Sequence, residues 1–253
     1  MKIFDCIIFF NELDLLELRL NEYNNTVDYF FLVEATKTFS EKPKPLYFKE
    51  NSQRYKNFLH KILHIEVDNM PHSPNRWHLE AFQRNAMRGV LKYAQPGDIV
   101  IMSDADELWK KEILKNIVNM PSVFLQSNFY YYLNFLTGNN WQGSIIANAL
   151  DLQVTTPQAL RNMRFYLPSV MNGGWHFSYL GGTENIKLKI ESFSHAEFDT
   201  QEIKSQIPKH VESFQDIFLR SKGRIGEIIP IDKTFPSYLV NNQAKFQHLI
   251  YTE

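Results

Sequence analysis

Short, almost wholly apolar runs alternate with helical or loop-like segments along the first 108 residues. The runs are IFDCIIFF from Ile3, DYFFLVEA from Asp28, KILHIEV from Lys61 and DIVIM from Asp98. Runs so short and so rich in β-branched and aromatic side chains read as buried strands. Between the first two, NELDLLELRLNEY has the Leu and Glu content of a helix beginning near Asn11. TKTFSEKPKPLYF carries two prolines, which exclude a helix and leave a long ordered loop, followed by a short helix around Ser52 to Leu59. Leu79, Phe82, Ala86, Val90 and Tyr93 recur at helical period between Trp77 and Tyr93, and QPGD then turns the chain into the fourth run. Strand and helix in alternation predict a parallel sheet, whose ligands lie beyond the carboxyl ends of the strands.

The fourth run meets that edge as DIVIMSDADEL, in which Asp104, Asp106 and Glu107 follow directly on buried residues. Carboxylates so close repel one another, and desolvating them is costly unless a positive charge lies between them. Asp104 and Asp106 suit Mg²⁺ or Mn²⁺, which bind through one or two carboxylates plus substrate phosphates. A calcium loop fits poorly, since no glycine or later ligand series follows. The plainer alternative is that both aspartates cap the next helix.

After Leu108 the pattern changes. A helix is expected from Lys110 to Val118, a strand in SVFLQSNFYYYLNFL, and a helix in TPQALR with Thr156 as N-cap and Pro157 in its first turn. The last 60 residues read as mainly helical, with HVESFQDIFLRSKG a helix closing on its glycine. No repeat or linker interrupts the 253 residues, so one domain is expected over 1–253. Its nucleotide-binding part is about 1–108 and its acceptor-side part about 109–253.

A net charge of −1 gives no field to hold nucleic acid. The single cysteine, Cys6, lies in an apolar run and reads as a small buried hydrophobe. No stretch approaches the roughly 20 apolar residues of a membrane span, and the N-terminus lacks the features of a signal peptide. A soluble, cytoplasmic protein is expected, with any membrane association peripheral or through a partner. Aromatics make up 14% of the chain, and NFYYYLNF and GGWHFSYLGG set several beside polar residues or glycines. That mixture suits sugar rings, although ordinary packing accounts for most single aromatics.

RWHLEAFQRNAMRGVLKYAQ followed by GDIVIMSDADEL resembles nucleotide-sugar glycosyltransferases of the GT-A fold. IFDCIIFFNELDLLELRLNE, VDYFFLVEATKTFSEKPKPLYF, DADEL and GGWHFSYLGG…KIESFSHAEF are similar to glycosyltransferase family 17, the β-1,4-mannosyl-glycoprotein β-1,4-N-acetylglucosaminyltransferase family, over about residues 3 to 200. The resemblance implies an α/β fold: a Rossmann-like, mostly parallel central sheet with helices on both faces and a mixed or antiparallel C-terminal part. It implies an inverting transfer of a sugar, GlcNAc by family, from a UDP-sugar to a glycan hydroxyl. It also implies a divalent ion held by Asp106, with Asp104 on the ion or the ribose.

Arg84 matches the position that approaches the diphosphate, or is simply a solvated helix arginine. Asn11, Glu12 and Glu34 fall where such enzymes hold uracil and ribose, with Asn11 equally able to cap the first helix. His176 is the candidate third metal ligand or diphosphate donor and His195 the next, unless it is a hydrogen-bonded structural histidine. The glycine pairs around His176 allow close backbone approach or a mobile lid. An inverting displacement needs a general base, for which Glu184 and Asp151 are the carboxylates to test. Two other classes remain open: a metal-dependent phosphatase or phosphotransferase, and a non-catalytic carbohydrate-binding protein on the same fold.

Overall fold

The computed structural model describes residues 1–117 and 119–252. Strand β1 (Ile3–Phe9) leads through helix α1 (Leu13–Tyr23) to β2 (Tyr29–Ala35). A loop containing the single turn α2 (Tyr47–Glu50) precedes β3 (Ile62–Val67), and α3 (Arg76–Asn85) precedes β4 (Ile99–Asp104). These four strands are parallel, in the spatial order β3-β2-β1-β4. Ile8 pairs with Asp104 and Phe9 with Glu34, so the carboxyl ends of β1, β2 and β4 finish level.

Both faces of this half are covered, which is why its strands are continuously apolar. Phe4, Cys6, Phe31, Val33, Val100 and Met102 pack on one face against Leu79, Met87, Val90 and Leu160. The alternate side chains Ile7, Phe9, Phe30, Leu32, Ile99 and Ile101 pack on the other against Leu16, Leu20 and Tyr23 of α1. Helix α1 is buried on its outer side too, where Leu15 and Leu18 meet Phe235, Leu239 and Phe246.

The second half adds β5 (Glu107–Trp109), β6 (Ser122–Tyr130), β7 (Phe135–Asn148), α4 (Asp151–Val154), α5 (Pro157–Asn162) and β8 (Ser169–Ser178). It ends with α6 (Gly182–Ser192), α7 (Gln201–Glu212), β9 (Glu227–Ile228) and α8 (Ser237–Asn241). The sheet continues β4-β7-β6-β8-β5, with β9 on β7, giving nine strands among the described residues. β7 is antiparallel to β4 and β6, β8 is parallel to β6, and β5 is antiparallel to β8. The expected parallel half, the helices on both faces and the mixed second half are therefore all present. No helix among the described residues is long and apolar enough to cross a membrane.

Thr156 caps α5 as expected, accepting from the Ala159 N–H at 3.1 Å, with Pro157 in the first turn. The helix expected to Tyr93 is α-helical only to Asn85 and winds as a 3₁₀ helix over Ala86–Lys92. There Met87 and Val90, fully buried, lie three residues apart, a spacing that 3₁₀ winding aligns. The helix expected from Lys110 is a 3₁₀ helix over Lys111–Asn116, and its expected end at Val118 lies outside the described residues. SVFLQSNFYYYLNFL is not one strand: β6 stops at Tyr130 and Tyr131 turns at φ +65°, its hydroxyl donating to the Gln215 carbonyl.

HVESFQDIFLRSKG is mostly non-helical. Helix α7 ends at Glu212, with Phe214 left-handed at φ +55°, its N–H on the Val211 carbonyl and the Gln215 N–H on the His210 carbonyl. That is the bonding of a Schellman end, made here without glycine because it turns Phe214 onto Phe135 and Tyr251.

Candidate active site at the carboxyl end of β4

A cleft of about 380 Å³ opens over the level ends of β1, β2 and β4, and Asp104 and Asp106 both line it. The turn between β4 and β5 is built to project them. Glu107, fully buried, folds back so that its Oε2 accepts the Asp104 N–H at 3.1 Å. Arg161 of α5 clamps both Glu107 oxygens at 2.7 and 3.1 Å, and the Trp141 indole N–H donates to Oε1 at 2.8 Å. From below, buried Arg19 of α1 donates to the Glu107 carbonyl at 2.7 Å and to Ser103 Oγ at 2.9 Å. Its other N–H groups grip Asp5 of β1 at 2.6 and 2.7 Å. Glu107 thus serves as a brace for the acidic turn.

The two aspartates have different cations. Asp104 takes Arg84 Nη1 of α3 on Oδ1 at 2.5 Å and Arg161 Nη2 on Oδ2 at 3.0 Å. Burial works to raise its carboxyl, but the two guanidiniums outweigh it and hold it at about 2. Asp106 takes Lys189 Nζ of α6 on Oδ2 at 2.6 Å. There too burial opposes ionisation, and the Lys189 ammonium overcomes it and holds the carboxyl far below the ordinary range.

His176 reaches this place because β8 lies against both β5 and β6, opposite Glu107 and Asn128. The approach is so close that a Cβ on Gly174, at φ +143°, would stand 2.1 Å from the Leu108 carbonyl oxygen. Gly173 and Gly174 are therefore close-approach glycines. The imidazole stacks on Trp141 at 4.1 Å and 11°, and its Nδ1 lies 2.6 Å from Asn128 Oδ1. With the proton on Nδ1 for that acceptor, the Nε2 lone pair faces Asp106 Oδ2 at 3.7 Å. Two acceptors so placed have room for a cation between them. Oxygen and imidazole donors, the histidine held by a further hydrogen bond, fit Mn²⁺ or a similar ion. Among the described residues no three His, Cys, Asp or Glu side chains form a ready-made cage. Phosphates and water would have to complete the coordination, as hard divalent ions commonly require.

Glu12 lines the cleft, its Oε2 accepting the Phe10 and Asn11 N–H groups at 3.1 Å; burial raises its carboxyl against the pull of Lys189. Asn11 precedes α1 without capping it, the N-cap position being Glu12. Glu34 sits behind Lys44 of the cleft wall, fully buried, accepting the Phe48 N–H at 3.1 Å and paired with His64 at 3.0 Å. Arg84 lies beneath the cleft, committed to Asp104, Glu80 and Gln158. His195 lines the cleft with its Nδ1 2.7 Å from Glu197 and its ring edge-on to Trp77, away from the partners of both aspartates. Glu184 is exposed on the first turn of α6. Asp151 accepts the Asn148 N–H at 2.8 Å, and neither of these two lines the cleft.

The residues missed in the sequence are Arg161, Lys189 and Arg164. Lys189 had a readable sign, standing three residues after Ile186 and one before Ile190, both fully buried. Arg164 lines the cleft with no carboxylate partner among the described residues; burial and neighbouring Arg161 depress its pKa.

Comparison with known proteins bears on the family. The family described as Glycosyltransferase family 17 matches residues 1–252. Relatives that match carry the name β-1,4-mannosyl-glycoprotein 4-β-N-acetylglucosaminyltransferase. The Homo sapiens protein is 30% identical over 95% of this chain and 53% of its own, the Rattus norvegicus protein 23% identical over 98% and 54%. The chain spans about half the length of the relatives it matches. Among solved structures, a mannosyltransferase from Pyrobaculum calidifontis in complex with GDP-Man and Mn²⁺ is 12% identical, covering 87% of this chain and 70% of that one, at a TM-score of 0.44. The galactosyltransferase LgtC with donor and acceptor sugar analogues is 8% identical over 98% and 97%, at 0.37.

Proposed function

Since the chain belongs to glycosyltransferase family 17, we propose that it transfers a sugar from a UDP-sugar to a glycan hydroxyl with inversion, using Mn²⁺ or Mg²⁺. The observation that carries this reading is the presence of Asp104 and Asp106 in the cleft, one fixed by arginines and the other facing His176 Nε2. GlcNAc is the donor sugar, and a mannose-bearing glycan the acceptor, that the names of the relatives favour.

Asp106 and His176, with Asp104 beside them, would hold the ion. When bound, it supplies Lewis-acid stabilisation of the charge that develops on the leaving diphosphate. Arg84 and Arg161 keep Asp104 ionised and aimed. Arg164 is the guanidinium free to take a diphosphate oxygen. Phe10, Thr38 and Phe39 make the end of the cleft nearest β1 and β2, and we assign the nucleoside to it.

The attacking hydroxyl must lose a proton as it displaces UDP. His195 has the arrangement for this role: with Nδ1–H donated to Glu197, Nε2 keeps a lone pair at the cleft wall. Glu184 and Asp151, outside the cleft, would have to move to act.

The test is UDP release from a panel of UDP-sugars by the full chain, with Mn²⁺ and then with excess EDTA, before and after adding mannose-bearing acceptors. Release from UDP-GlcNAc, abolished by EDTA and accelerated by acceptor, is expected. Release indifferent to EDTA, or from no UDP-sugar at all, would refute the reading.

A further inference from the structure

Building on that reading, we propose that Lys189 is a built-in counter-ion that contends with the divalent cation for Asp106 and, once displaced, pairs with the donor's diphosphate. Metal and nucleotide then bind more tightly together than apart.

One carboxylate oxygen has two suitors. Asp106 Oδ2 lies 2.6 Å from Lys189 Nζ and 3.7 Å from His176 Nε2. An ion held between that oxygen and that nitrogen would meet the ammonium at hydrogen-bonding range of the same atom, where the two positive charges repel one another. The repulsion is relieved when one of them leaves, and the site decides which. His176 is fixed by Asn128 and by its stack on Trp141. The arginines on Asp104 are each fixed by further partners: Arg84 by Glu80 and Gln158, Arg161 by Glu107 and the Gly143 carbonyl. Lys189 makes its one side-chain hydrogen bond, among the described residues, to Asp106. It carries its charge on a flexible stem.

The fold keeps the displaced ammonium in the cleft. The chain leaves β8 through Gly181 and Gly182, at φ +86° and +79°, and doubles back as α6. Ile186 and Ile190, fully buried, anchor that helix on either side of Lys189, and the Tyr179 ring stands 5.2 Å from Nζ. A freed ammonium confined there, with Glu12 already engaged by backbone N–H groups, takes the strongest acceptor the donor brings, its phosphates. Each ligand thus removes part of the other's cost, and the coupling must be reciprocal.

The experiment is Mn²⁺ binding, read by electron paramagnetic resonance of the free ion, to wild type, Lys189→Met, Lys189→Arg and Lys37→Met, each with and without UDP. Lys37 lines the cleft but does not touch Asp106. Lys189→Met is expected to bind Mn²⁺ alone about tenfold more tightly than wild type, with the strengthening by UDP reduced about as much, an ordinary size for coupling between sites. Lys189→Arg stays near wild type, and Lys37→Met changes less than about threefold. If Lys189→Met melts below the assay temperature, Lys189→Gln, which keeps a donor without the charge, takes its place. Unchanged Mn²⁺ affinity in Lys189→Met, or an equal gain in Lys37→Met, overturns the role of Lys189 and leaves the transferase reading standing if wild type binds Mn²⁺ with UDP. A wild type that binds no Mn²⁺ with or without UDP overturns both.

Discussion

Asp104 and Asp106 stand two residues apart yet do different work, because their cations differ. Asp104 is bracketed by two anchored guanidiniums, whereas Asp106 meets one lysine and an imidazole lone pair. Asp106 is thus the side chain whose exchange should hurt chemistry most. Asp106→Asn is expected to lower UDP-sugar turnover at least about 100-fold while leaving the circular dichroism unchanged, the scale seen when transition-state charge loses a stabiliser. Arg164→Ala should raise KM for the donor about tenfold with kcat less affected, as loss of one charge-assisted bond implies. Asp104 also makes a pH prediction. Its carboxyl titrates at about 2 in the folded chain against an ordinary 3.8, so the unfolded chain binds the proton first as pH falls. Its contribution, at most about 2 kcal/mol, is complete above pH ~4 and disappears as pH falls toward 2. Denaturant midpoints measured from pH 6 to 2 should therefore drop below pH 4 in wild type and less steeply in Asp104→Asn.

At the scale of elements, the site depends on β8 entering the sheet where side chains would forbid it. Gly174→Ala puts a methyl group 2.1 Å from the Leu108 carbonyl oxygen at a φ that L-residues rarely adopt. It should cost about 3 kcal/mol or more and lower metal-dependent activity with it, since β5 and His176 shift together. A melting curve beside a turnover assay checks both. The sequence told the first four strands plainly, because each is buried on two faces and reads as an apolar run. It hid β7 and β8, whose Gly143, Gly173 and Gly174 look like turn residues but serve close strand packing. The aspartates were legible because charge after a buried strand is unusual. Arg161 and Lys189 were not, since their meaning depends on helices α5 and α6 returning to β4 from far along the chain.

Across the whole molecule, one buried ion pair ties the halves together. Arg19 and Asp5, both without solvent exposure, link α1 and β1 to Ser103, to the Glu107 carbonyl and to the Trp109 indole. Asp5→Ala leaves the guanidinium buried without its carboxylate and should cost about 3–5 kcal/mol, lowering Tm by roughly 6–20 °C for a domain of this size. A loss within experimental error would show that the pair is dispensable. The central claim is that the acidic turn carried by this framework holds a divalent ion against a nucleotide's phosphates. Its most direct test is the thermal shift of the full chain with Mn²⁺, with UDP and with both, in wild type and in Asp106→Asn. Ligands that bind the native state raise Tm, so the account predicts a shift with both ligands larger than the sum of the separate shifts, lost in Asp106→Asn. Additive shifts, or the same synergy in the variant, would contradict it.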